Sequence, residues 1–484
     1  MGCSIRKYPK ILIKCGFTFP SLYDRINMLG GLWAADSFSV RRCGMDLLTG
    51  KVKPMYLQYL FAASGSAMMA SVFGLVDAMM VGQYHGPLGN ATLAVFNPLW
   101  SIMFCLGLLA GIGSSVPFAN ARGRRDEAAA REYFTASLIY GLMLSALTVA
   151  GIGLFQDPMF RFFGADDAIL ALAKRYLAPL LFAIPSCVFS NILSAFLRND
   201  GNPSLATKAV IIGGVFNVFG DWFLVFHMDM GISGAGLATA MGQIITTAVM
   251  LLHFVSRKNT LRLANPLRSL RRLGSITLNG FSSAVSDLAL GVIGVLFNRQ
   301  IMKYLNSDAL AVYGIITQIT AFAQCIAYGT GQAAQPIISQ NYGAGQYRRI
   351  RECLKYALQT CLALGISWTV IMLAAPELLV KLFMSPTQAV LEIAPGIFRA
   401  YGISFLLLPF NIFSAYYFQA MMKSGVALTA SLARGVVVSG VLILLLPTVA
   451  GAESLWYAML LTELLVAAYS TWHIVKATRA LPTE

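Results

Sequence analysis

The sequence predicts an all-α, polytopic membrane protein of about 12 transmembrane helices, arranged as two six-helix lobes with a central cavity between them. Three observations carry this. Of the 484 residues, 57% are hydrophobic and only 12% are charged, and the mean hydropathy is +0.67, which excludes an ordinary soluble globule. Apolar runs of about 20 residues, the length an α-helix needs to cross a hydrocarbon core about 30 Å thick, recur from Pro54 almost to the C-terminus. The loops between them alternate between basic and uncharged, as orientation by the positive-inside rule requires.

The elements follow in chain order. Residues 1–53 contain nine Lys/Arg against three Asp and no run long enough to span; they read as a basic, disordered extension on the cytoplasmic side. No apolar stretch with a small-residue cleavage site marks a signal peptide. MGCSIR opens like a myristoylation signal but has Arg6 where Ser or Thr is wanted, and Met45 is an alternative start. Spans are expected at 55–82, 91–121, 131–156, 169–198, 204–226 and 232–255, giving an N-lobe over 54–255. A cytoplasmic linker, 256–274, is basic enough to face anionic lipid. Spans at 275–303, 309–341, 350–375, 388–422, 426–447 and 453–476 make a C-lobe over 275–477, and 478–484 is a tail. The loops at 121–132, 256–272 and 341–352 are basic, whereas 83–90 and 227–234 hold no Lys or Arg, so both termini are expected in the cytoplasm of a cell-membrane protein.

The lobes are related by an internal repeat. At an offset of 220, Gly111 matches Gly331, Gly123 matches Gly343, Arg131-Glu132 matches Arg351-Glu352 and Phe163 matches Phe383; at 222, Phe196 and Thr207 match Phe418 and Thr429. Six spans per half is an even number, so both halves enter from the same side. The repeat is parallel, about an axis along the membrane normal.

The net charge of +15 is therefore helix orientation, not a nucleic-acid surface. The eight cysteines contain no C-x-x-C pair, so neither a disulfide framework nor a metal site is indicated, and no cofactor is expected. The informative charges are those inside spans, where an ionisable group costs a few kcal/mol or more. Asp77 lies about seven residues before the first span ends, and Asp221 about eight before the turn after the fifth. Asn217 sits one helical turn before Asp221 on the same face. Thr239, about ten residues after that turn on the returning sixth span, reaches a similar depth, about 13 Å at 1.5 Å per residue. Two carboxylates, an amide and a hydroxyl make an oxygen-rich group suited to Na⁺, or to a proton held on a buried carboxyl. The alternative is that these groups are hydrogen-bonded helix contacts.

Asp287 in the seventh span, with Gln318 and Gln324 in the eighth, reads as a cavity lining that attracts a cationic compound, or equally as structural hydrogen bonding. Met80, beside Met68, Met69 and Met79, offers a polarizable surface for varied ligands, or ordinary packing. Glu463 is expected to be structural, pairing with Arg434 on the neighbouring span.

Four strings resemble one family. VDAMMVGQYHG (76–86), RNDGNP (198–203), NVFGDWFLVF (217–226) with GISGAGLATAMGQ (231–243), and QPIISQNYGAGQ (335–346) look like signatures of the multidrug and toxic compound extrusion (MATE) transporters, most of all the bacterial MepA-type and DinF-type branches. The resemblance covers about 55–476. It implies a secondary active exporter driven by H⁺ or Na⁺, working by alternating access on small organic, cationic or amphipathic substrates, and acting as a monomer. It also implies that Asp77, Asn217, Asp221 and Thr239 form the coupling site. Two features depart from the family. The proline common early in the first span is absent near Ala62, and the tenth span carries no acid, so a complete C-lobe cation site is not expected. The rival readings are a lipid-precursor flippase of the same superfamily, a membrane-embedded enzyme and a channel. Clustered catalytic residues and a strongly cationic cavity are both missing from the sequence.

Overall fold

The computed structural model describes residues 46–482 apart from Ser385, so the expected extension lies outside the described residues up to residue 45. Its last part, 46–51, is packed: Arg349 donates to the carbonyls of Leu47 and Gly50. Among the described residues there is no strand, and all twelve expected spans are present. They are α1 (Val52–His85), α2 (Pro87–Gly123), α3 (Glu127–Phe162), α4 (Asp167–Asn199), α5 (Pro203–His227), α6 (Ile232–Val255), α7 (Pro266–Tyr304), α8 (Ser307–Gly343), α9 (Tyr347–Ala374), α10 (Gln388–Ala420), α11 (Ser424–Val449) and α12 (Ala452–Arg479).

Their starts follow from local chemistry. Asp126, Asp166, Asn306 and Thr387 accept backbone N–H bonds that would otherwise be orphaned at the beginnings of α3, α4, α8 and α10. Pro87, Pro203 and Pro266 occupy the first helical position of α2, α5 and α7, where a missing N–H costs nothing. Gly231 and Gly451, at φ 55° and 85°, start α6 and α12 in the same way in each half.

Within the N-lobe, α4 packs between α2 and α6, and α5 between α6 and α1; within the C-lobe, α10 packs between α8 and α12, and α11 against α7. The lobes meet where α1 lies on α8 and α2 lies on α7 and α8. The repeat read from sequence is physical. Gly111 lets α2 approach the Asn191 carbonyl of α4, and its counterpart Gly331 lets α8 approach Tyr416 of α10. Gly123 and Gly343 touch opposite lobes: a Cβ on Gly123 would strike the Gln340 carbonyl, and one on Gly343 would strike that of Asn120. The pseudo-two-fold axis therefore passes between the ends of α2 and α8 on the basic-loop side, where the seam is closed.

Two helices, the fifth of each lobe, depart from α geometry, at different depths. In α5, a π-helical turn, Trp222–His227, follows Asp221 directly. In α11 a π-helical turn, Ala433–Val437, contains Arg434. Such turns concentrate at functional sites.

Candidate functional site

Five helices of the N-lobe line a cavity of 480 Å³, with Asp77 on α1, Phe96 and Trp100 on α2, Tyr176 on α4, Asn217 on α5 and Thr239 on α6. Asn217 Nδ2 donates to Thr239 Oγ1 at 3.2 Å, so the pair expected from hairpin depth is in contact. Asp77 is buried and its Oδ2 accepts from the Tyr176 hydroxyl at 3.1 Å, while its Oδ1 has no partner among the described residues. Asp221 is fully buried behind the cavity wall, within electrostatic range of Asp77, and neither of its oxygens finds a donor among the described residues. A carboxylate left bare in that position is unfavourable by several kcal/mol. The site has the chemistry to hold a cation or a proton between α1 and α5.

The sequence did not point to Tyr176. A signal existed: a buried tyrosine hydroxyl seeks a partner, and in α4 it sits nine residues into a long apolar span.

A second cavity, of 390 Å³, lies between the lobes, with Trp100 and Phe104 on the α2 wall and Asp287, Gln324, Tyr328 and Arg434 on the α7, α8 and α11 walls. Asp287 and Gln324 therefore sit where expected. Gln318 and Met80 do not: neither lines either cavity. Gln318 is six residues from Gln324, which turns it about 240° around α8 onto an exposed face. Met80 lies almost a full turn beyond Asp77, past the cavity wall. The expected Glu463–Arg434 pair exists, with Nε donating to Oε1 at 2.9 Å. The tenth span supplies Asn411, whose Nδ2 donates to Glu463 Oε2 at 2.5 Å.

On the basic-loop side, RNDGNP forms a polar knot. Asp200 accepts from Arg122 of α2 at 2.8 Å, from His253 of α6 at 2.7 Å and from the linker backbone at Thr260 at 2.9 Å. Asn202 Nδ2 lies 3.2 Å from His253 Nδ1; as amide donor it leaves Nε2–H to face Asp200. Burial pushes the Asp200 carboxyl up, but the bonds from His253, Thr260 and Arg122 outweigh it and hold the group below its ordinary value of 3.8. His253 has no local signal in the sequence, because its partners lie 51 and 53 residues away along the chain.

The MatE family model matches the chain twice, over residues 62–223 and 283–444, once in each lobe. The multidrug export protein MepA of Staphylococcus aureus (strain MRSA252) is 23% identical over 407 residues, spanning 83% of this chain and 88% of that protein. MepA of Staphylococcus saprophyticus is 22% identical over 403 residues, with the same coverage. A multidrug resistance MATE transporter of the MOP superfamily, solved facing outward, superposes with a TM-score of 0.83 at 21% identity, over 90% of this chain and 98% of that one. A Pyrococcus furiosus transporter of that superfamily, described as having a binding pocket of reversed polarity, superposes at 0.82 and 21% identity with the same coverage. Two matches to one family model, one per repeat, on a twelve-helix fold shared with solved MATE structures, place this chain in the MATE family.

Proposed function

We propose that the protein is a secondary active exporter of small organic, cationic or amphipathic compounds in the cell membrane, driven by inward movement of H⁺ or Na⁺. The observation that carries this reading is the pair of unpartnered, fully buried Asp221 oxygens beside Asp77. An ion arriving from outside occupies the group formed by Asp77, Asn217, Asp221 and Thr239, with Tyr176 holding one Asp77 oxygen. Moving a two-state equilibrium from 1:99 to 99:1 takes about 5.5 kcal/mol, and relieving an uncompensated buried charge, worth several kcal/mol, is of that size. The closed seam at Gly123 and Gly343 supports the outward-facing member of an alternating-access cycle, with both termini and the basic loops in the cytoplasm and one chain as the working unit in this reading. Substrate occupies the inter-lobe cavity, where Asp287 meets its cationic nitrogen and Gln324 flanks it.

The test is ethidium efflux from proteoliposomes with pH and Na⁺ gradients imposed separately. One gradient should drive efflux in the wild type, and Asp77→Asn should abolish the driven component while leaving a folded protein. Driven efflux that survives in Asp77→Asn would refute the coupling site, and efflux independent of both gradients would refute the exporter.

A further inference from the structure

The two cavities share a wall. Among the described residues, three side chains border both: Ala70 of α1, and Trp100 and Phe104 of α2. Phe96, Trp100 and Phe104 recur four residues apart, so they stack along one side of α2. That helix is held in place. Leu99 and Met103, on its flank, are buried in the N-lobe core, and Gly107 lies so close to α4 that a Cβ there would strike Asn191.

Contacts lead from the ion site to this wall one residue at a time. Asp77 Oδ2 accepts from the Tyr176 hydroxyl at 3.1 Å. The Tyr176 ring meets Phe96 edge to face, with centroids 4.8 Å apart and planes at 78°. Both rings are buried, and turning either one forfeits that contact. Phe96 lines only the ion cavity, whereas Trp100, the next residue along its side of α2, opens onto both. Ala70 reaches the wall from the other direction, two turns before Asp77 on the same face of α1. Interiors packed in this way are stiff and pass a displacement on instead of absorbing it.

Resting on the export reading above, we infer that Trp100 is the positioning residue through which an ion at Asp77 and cargo in the inter-lobe cavity affect each other. A change in how Asp77 holds the Tyr176 hydroxyl moves Phe96, and Phe96 moves the indole that walls the cargo. Antiport requires ion and cargo to weaken one another, and by linkage the factor is the same in both directions. Direct repulsion between two cations is the rival explanation, and it needs no ring.

Ethidium binding to the full chain in lipid nanodiscs separates the two. Its dissociation constant is measured by fluorescence at neutral and at acid pH without Na⁺, and at neutral pH with Na⁺. The readout is the ratio of the constants with and without the ion for each protein, so contacts that a substitution removes from both states cancel. Wild type should show a ratio of about fivefold or more for one of the ions, the lower end of ordinary coupling. Trp100→Ala should bring that ratio below about twofold, and Trp100→Phe, which keeps a ring in the wall, should retain it. Phe96→Leu leaves the indole in place but severs it from Tyr176, so it should lose the ratio too, and it decides the matter should Trp100→Ala fail to fold. A ratio that persists in Phe96→Leu or in a folded Trp100→Ala overturns the inference alone. A wild type whose ethidium affinity responds to neither ion, or a response that survives in Asp77→Asn, overturns the coupling reading with it.

Discussion

Gly123 and Gly343 meet across the pseudo-two-fold axis, each backbone pressed against the carbonyl three residues before the other. Residues that are equivalent by repeat are thus neighbours in space. Small residues permit such close helix approach in membranes. Leucine at either position demands an ordinary helix separation of 8–10 Å. Spin labels at Glu127 and Arg348, both exposed, should move apart by about 2–4 Å in Gly343→Leu; an unchanged distance distribution would refute the closed seam.

Asp221→Asn replaces an unpartnered carboxylate with a neutral isostere. Removing a desolvated charge without creating a void should raise thermal stability at neutral pH while eliminating ion-driven efflux. A melting temperature lowered by several degrees would instead mean that Asp221 is satisfied in the folded protein.

The Asp200 knot sets an acid limit. Because the folded carboxyl is held below 3.8, its contribution is fully present above the unfolded value and is lost as pH falls through the folded one. The stability advantage of wild type over Asp200→Asn, about 1.5–3 kcal/mol for bonds to a charged group, should be constant from pH 7 to pH 5 and shrink below about pH 4. An advantage that grows on acidification would contradict the network.

The first helix lacks the proline common in the family, yet the carbonyl of Ala62 is claimed three ways. Ser66 Oγ donates to it at 2.8 Å and Thr207 Oγ1 of α5 at 2.7 Å, in competition with the helical N–H of Ser66. Serine back-bonding of this kind loosens and bends helices. In Ser66→Ala/Thr207→Val, hydrogen exchange at the Ser66 amide should slow by about fivefold, equivalent to one hydrogen bond. Exchange that stays the same or quickens would show that the hydroxyls do not compete.

Much of this was legible in the sequence because membranes make patterns coarse and charges costly. Spans announce themselves by length, and Asp77, Asn217, Asp221 and Thr239 were placed by counting residues from turns, which works where helices run straight through a layer of fixed thickness. Even the Arg434–Glu463 pair was readable, since a lone charge in a span needs a partner. What escaped depended on helix rotation and on partners remote in sequence. Gln318 and Gln324 look alike in a string, and only the phase of α8 separates the cavity from the exposed face. Tyr176, Asn411 and His253 acquire their roles from groups 99, 52 and 53 residues away. The π-helical turns have no composition of their own.

Those two turns allow a comparison that a single chain rarely offers. Each lobe interrupts its fifth helix, but at a different depth: the repeat offset of 220–222 sets Trp222–His227 against 442–449, not against Ala433–Val437. The two halves have kept the same helices while drifting apart in where each one loosens. Exchanging Asp221 and Arg434 would therefore move each charge to an unrelated level of the other lobe, not swap one counterpart for another.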